Sequence, residues 1–94
     1  MVINIDTEKC KNQELAATAA GMVSEDYKER FIAEYVQLKN RYDGLLRMTQ
    51  KWDMGELSFT PTCPRETYYF QLRAMKEYLN ILVIRAKIEE IELP

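Results

Sequence analysis

Lys51, Trp52, Arg65, Tyr69 and Arg73 are the side chains best suited to hold a small charged molecule. Guanidinium groups give forked, charge-assisted hydrogen bonds to phosphate, and indole and phenol rings offer faces on which a planar base or a cation can rest. Arg65 follows Pro64 at a predicted helix start, where free backbone amides favour an anion. Arg73 returns on the side of Arg65 and Tyr69 one to two turns later. Together these residues suit a phosphate carrying a base. They also fit a plainer description, in which long cationic chains near helix ends solvate the surface. A second cationic group, Tyr27, Lys28 and Arg30, lies at another predicted helix start, but Asp26 and Glu29 beside it repel an anion.

Catalysis has less to draw on. The chain has no histidine, the commonest acid–base side chain. Carboxylates and tyrosines are present in no arrangement that points to a reaction, so a non-enzymatic protein is expected. Cys10 and Cys63 have no spacing motif, and without histidine one subunit lacks the ligands of a zinc site. No metal and no cofactor is expected, and the cysteines read as free thiols of a reducing compartment. A net charge of −2 argues against a nucleic-acid polymer as partner. No apolar run approaches the roughly 20 residues of a membrane span, and Met1 to Thr7 lacks a signal pattern. These absences predict a cytoplasmic protein with no membrane partner.

The elements that must position these groups are helical. In residues 1–23, a short apolar start (Val2, Ile3, Ile5) precedes a helix capped by Asp6 or Thr7 and ended at Gly21. Ser24 is the expected cap of a longer helix over about 24–54, with Glu25 and Asp26 in its first turn. Phe31, Tyr35, Leu38, Tyr42, Leu45, Thr49 and Trp52 step by four and three, the pattern of a helix with one apolar seam. Gly44 interrupts this helix and reads either as close packing or as a tolerated outer position, with a backbone left bare for a ligand as the third option. Gly55 opens a connector over 55–62, whose Leu57 and Phe59 are expected to cover the end of the core. Cys63-Pro64-Arg65-Glu66 starts a second helix over about 63–91, with Glu66 placed to cap its free amides. Its seam is Tyr68, Leu72, Met75, Leu79, Leu82 and Ala86.

The second helix has an apolar surplus. Phe70, Ala74, Ile81, Ile84, Ile88 and Ile91 form another stripe, broken by Glu77. Phe70 and Leu72 are two residues apart, about 200° around a helix of 3.6 residues per turn, so the stripes face nearly opposite ways. One partner helix covers only one of them. A helix apolar on both sides belongs at the centre of a larger assembly. The expected fold is therefore all-α: a long antiparallel helical hairpin (24–94) with a short N-terminal helix or arm (1–23), assembling into an oligomeric bundle. A monomeric three-helix bundle, with the arm covering the surplus, is the alternative.

The segments Ser24-Glu25-Asp26-Tyr27-Lys28-Glu29-Arg30-Phe31, Leu57-Ser58-Phe59-Thr60-Pro61-Thr62-Cys63-Pro64 and Ala74-Met75-Lys76-Glu77-Tyr78-Leu79 carry a resemblance. From Ser24 to Leu93 the chain resembles a family of short phage and prophage proteins first catalogued among crAss-like phages. That family supplies no catalytic motif to transfer. In size, helix content and expected self-association the chain is also similar to phage sponges that counter cyclic-oligonucleotide and TIR-derived signalling. The architectural likeness implies a homo-oligomer in the host cytoplasm that sequesters a small immune nucleotide messenger. The competing expectation is a phage adaptor or inhibitor that engages a host or virion protein through its apolar helix face.

Overall fold

The computed structural model describes residues 15, 16 and 18–94, and among these there are helices and connectors but no strand. The expected cap at Asp6 or Thr7, the apolar start of the arm and Cys10 lie outside the described residues. Residues 15, 16 and 18–22 are helical. Two long helices follow, α1 (Tyr27–Asp53) and α2 (Arg65–Ile88). The long helices run side by side in opposite directions. Tyr27 meets Glu89, Glu34 meets Tyr78, and Trp52 meets Tyr68. No helix among the described residues is long and apolar enough to cross a membrane.

α1 begins two residues later than its sequence suggests. Asp26, not Ser24, is the N-cap: its carboxylate accepts from the Lys28 amide at 2.9 Å, and its backbone is extended at φ −82°, ψ 119°. Ser24 acts one step upstream, its hydroxyl accepting from the Asp26 amide at 3.1 Å and bonding to Glu29. A cap of this kind contributes about 1 kcal/mol.

Gly21 does not end the N-terminal helix in a left-handed turn, because the helical residues continue to Met22. Its role is proximity: a Cβ placed there would lie 3.0 Å from the Ala33 Cβ. The absent side chain lets the N-terminal helix press onto α1, where Thr18 and Ala33 are buried.

α2 starts at Arg65, with Pro64 as an N-cap that makes no side-chain cap bond. Glu66 does not fill the capping role expected of it. The Thr67 amide instead reaches the Pro64 carbonyl at 3.0 Å. α2 ends at Ile88, short of the expected 91.

Both long helices close on the same device. After α1 the Gly55 and Glu56 amides donate to the Trp52 and Lys51 carbonyls at 3.0 and 2.8 Å, with Gly55 left-handed at φ 74°. After α2 the Glu90 and Ile91 amides donate to the Lys87 and Ala86 carbonyls at 3.4 and 2.8 Å, and the left-handed residue is Glu90 at φ 57°. These are Schellman closures, which satisfy carbonyls left over at a helix end, and after α2 the closing residue brought back onto the last turn is the apolar Ile91.

The seam of each helix faces the other. Phe31 and Leu82 are essentially sealed, at 2% and 0% exposure, and cluster with Ala86 and Ile91. Burying a side chain of this size gains about 1.5–3 kcal/mol. Ile91 is the one member of the second stripe that proves to be core. The α2 closure folds it back against Ala86, so it leaves the outward face to which helical spacing had assigned it. Phe70, Ala74, Ile81, Ile84 and Ile88 remain exposed in the single chain, Ile88 at 76%.

Candidate functional site

The connected end of the pair is held by two contacts between α1 and α2. Trp52 packs edge-on to Tyr68, with ring centroids 5.9 Å apart. Arg65 forks onto the Asp53 carboxylate, Nε to Oδ1 and Nη2 to Oδ2 both at 3.0 Å. That guanidinium holds the Asp53 carboxyl below its ordinary pKa, chiefly through the hydrogen bonds. A hydrogen bond with the Cys63 thiol raises the Tyr68 hydroxyl. Cys63 itself is free and exposed.

The five residues singled out for ligand binding therefore separate. Arg65, Tyr69 and Arg73 line one groove of about 550 Å³ between α1 and α2. Lys51 lies elsewhere, in a smaller groove of about 250 Å³ shared with Gly44 and Phe59. Trp52 is half-buried against Tyr68 and lines neither. A helix positions 100° per residue, so Lys51 and Trp52 diverge from each other although adjacent in sequence. Phe59, expected to cover the core, is exposed on that second groove, while Leu57 is half-buried there. A Cβ on Gly44 would meet nothing within 4 Å, which excludes close packing as the reason for this glycine.

The larger groove also takes in residues that sequence reasoning did not assign to a site. α1 contributes Tyr42, Thr49 and Gln50, and α2 contributes Lys76. Tyr42 is a seam residue by its spacing, yet its ring is half-buried and lies 5.8 Å below the Lys76 ammonium. Lys76 follows Arg73 by three residues, and that spacing on one helix face was the available signal. A volume of this size is within the range of small-molecule sites.

Two members of the rival cationic group at the start of α1, Tyr27 and Arg30, are already engaged. The Tyr27 hydroxyl donates to Glu89 at 2.7 Å and accepts from Arg85 at 2.7 Å. The bond to Glu89 is the main reason its pKa is raised. Arg30 donates to the Ser24 carbonyl at 2.7 Å. Glu89 is half-buried in this cluster.

Both helices and their connector lie within one family match: the family model described as Sequestin covers residues 25–88. The chain belongs to the Sequestin family. The Sequestin match starts beside the Asp26 cap and ends on the last residue of α2, so it takes in every residue of the larger groove. No curated protein and no solved structure matches the chain.

Proposed function

We propose that this protein is a phage-encoded, non-enzymatic binding protein that sequesters a host immune nucleotide messenger, of the cyclic-oligonucleotide or cyclic ADP-ribose type, within a homo-oligomer in the host cytoplasm. The observation that carries the reading is membership of the Sequestin family, whose name describes sequestration. Two features of the chain support it. The groove lined by Tyr42, Tyr69, Arg73 and Lys76 joins cationic groups to aromatic rings, the chemistry a nucleotide calls for. The exposed stripe Phe70, Ala74, Ile81, Ile84 and Ile88 offers an apolar face for a second copy of the chain.

Sequestration needs affinity and stoichiometry, with no turnover. Native mass spectrometry of the purified protein reads subunit number and any co-purified nucleotide together. Calorimetric titration with cyclic di- and trinucleotides and cyclic ADP-ribose isomers then measures affinity. The reading expects a multimer that binds one of these compounds and returns it chemically unchanged. Binding of none of them overturns it. The second reading, a module that docks on a host or virion protein, then takes its place, because the exposed isoleucines of α2 serve that role equally well.

A further inference from the structure

Resting on the sequestering role, we infer that the phosphate anchor of the groove is Lys76 with Arg73, over the ring of Tyr42, and that Arg65, clasped to Asp53, does not bind the ligand.

The argument is one of charge. Three cations, Arg65, Arg73 and Lys76, and two carboxylates, Asp53 and Glu77, line the groove. Arg65 is committed to Asp53 by two parallel hydrogen bonds of 3.0 Å. Moving it to a phosphate would exchange one anion for another and leave the Asp53 carboxylate facing the ligand. Such an exchange gains little, since forked charge-assisted bonds are among the stronger polar contacts. Arg73 has a looser partner. Its Nε lies 3.7 Å from Glu77, and both side chains are about two-thirds exposed. An exposed pair of that kind is worth little, so Arg73 is easily recruited. Lys76 makes no ion pair with any carboxylate among the described residues, and the Tyr42 ring is its recorded neighbour. It can bind an anion without surrendering a carboxylate.

Geometry agrees with the charges. Positions three apart on a helix place their Cβ atoms about 5–6 Å from each other, so Arg73 and Lys76 can grip one phosphate or two adjacent ones. Tyr42 stands opposite on α1, and Tyr69 lies one turn from Arg73 with its ring exposed. A base attached to that phosphate thus has an aromatic face on either side. The ligand class is a nucleotide whose phosphate enters toward the middle of the helix pair, away from the Asp53–Arg65 clasp.

The test is calorimetric titration of the full chain with the same cyclic dinucleotides, cyclic trinucleotides and cyclic ADP-ribose isomers. Lys76→Gln should weaken the compound that binds by tenfold or more. Lys76→Arg, which keeps the charge, should stay within about threefold of the unmodified protein, because the loss follows the charge-assisted bond. Arg65→Gln should also stay within threefold. Circular dichroism on each variant separates lost binding from lost folding, and Lys76 is exposed on a helix where glutamine is well tolerated. Binding by Lys76→Gln at the unmodified affinity overturns the anchor while leaving sequestration intact, as does an equal loss in Lys76→Arg. A tenfold loss in Arg65→Gln with Lys76→Gln unaffected returns the anchor to the connected end. Failure of the unmodified protein to bind any of the compounds removes the sequestering role itself.

Discussion

The two ends of the helix pair are built differently. At the far end Phe31, Leu82, Ala86 and Ile91 are buried together, and Tyr27, Arg85 and Glu89 tie the rim with hydrogen bonds of 2.7 to 3.3 Å. At the connected end Thr49 is buried, but Trp52, Tyr68 and Leu72 are only half-covered, and the clasp is an exposed ion pair. Apolar burial is the main stabilising term, so the far end holds the fold together. The connected end, relieved of that task, keeps its cations and rings in an open groove. On the proposed reading, stability and recognition are segregated along one pair of helices.

The largest expected effect breaks the comparison from outside the pair. If the exposed stripe is the interface between copies, Ile81→Glu combined with Ile84→Glu puts charges into the contact and should give a smaller, much less stable species. Light scattering at micromolar concentration reads the change. An unmodified protein that is already monomeric would assign the stripe to another partner.

Within the pair, Leu82→Ala should cost about 2–5 kcal/mol, the range for truncating a fully buried leucine. Leu72→Ala, toward the connected end and half-covered, should cost clearly less. Urea unfolding of both variants measures the contrast. Equal losses would mean that the core runs evenly along the helices.

The helix closures sharpen the comparison by a smaller amount. Gly55 occupies the left-handed position after α1 at no steric cost, whereas Glu90 occupies the equivalent position after α2. A non-glycine residue there is strained by roughly 1–2 kcal/mol, and glycine returns part of that as chain entropy. Glu90→Gly should therefore stabilise the protein by about 1 kcal/mol and raise its thermal midpoint. A loss of stability would show that the Glu90 side chain makes a contact worth more than the strain.

Much of this architecture was legible in residue spacing. The seams from Phe31 to Trp52 and from Tyr68 to Ala86 could be read because a helix repeats its faces regularly, and both seams face inward. The outward stripe could be read up to Ile88 for the same reason. Ile91 could not, since a Schellman closure ends helical periodicity and nothing about Glu90 advertises a left-handed residue. The site was legible as a set of chemical types but not as a place. Spacing put Lys51 and Trp52 near Arg65 along the chain, and the rotation of α1 turned them onto other faces. Tyr42 and Lys76 meet only across the two helices, which one helix's periodicity does not report.

The smallest effect concerns the clasp and depends on pH. Arg65 lowers the Asp53 pKa from its ordinary 3.8, chiefly by hydrogen bonding. A carboxylate whose folded-state pKa is depressed contributes stability that is fully present above the unfolded value. That contribution fades as pH falls through the folded value, because the folded state must then take up the proton it had excluded. Asp53→Asn cannot titrate and lacks this contribution at every pH. The unmodified protein should accordingly melt slightly higher than Asp53→Asn at neutral pH, and the gap should close below 3.8. Both partners are exposed to solvent, at 37% and 57% of their side-chain surface, so salt should shrink the gap as well. At 1 M salt the screening length falls to about 3 Å, comparable to the contact itself. A gap that persists in acid and in high salt would mean that Asp53 stabilises the connected end by packing or by another hydrogen bond. The clasp would then be a structural peg whose charge is incidental, and Arg65 would be free to meet an incoming phosphate.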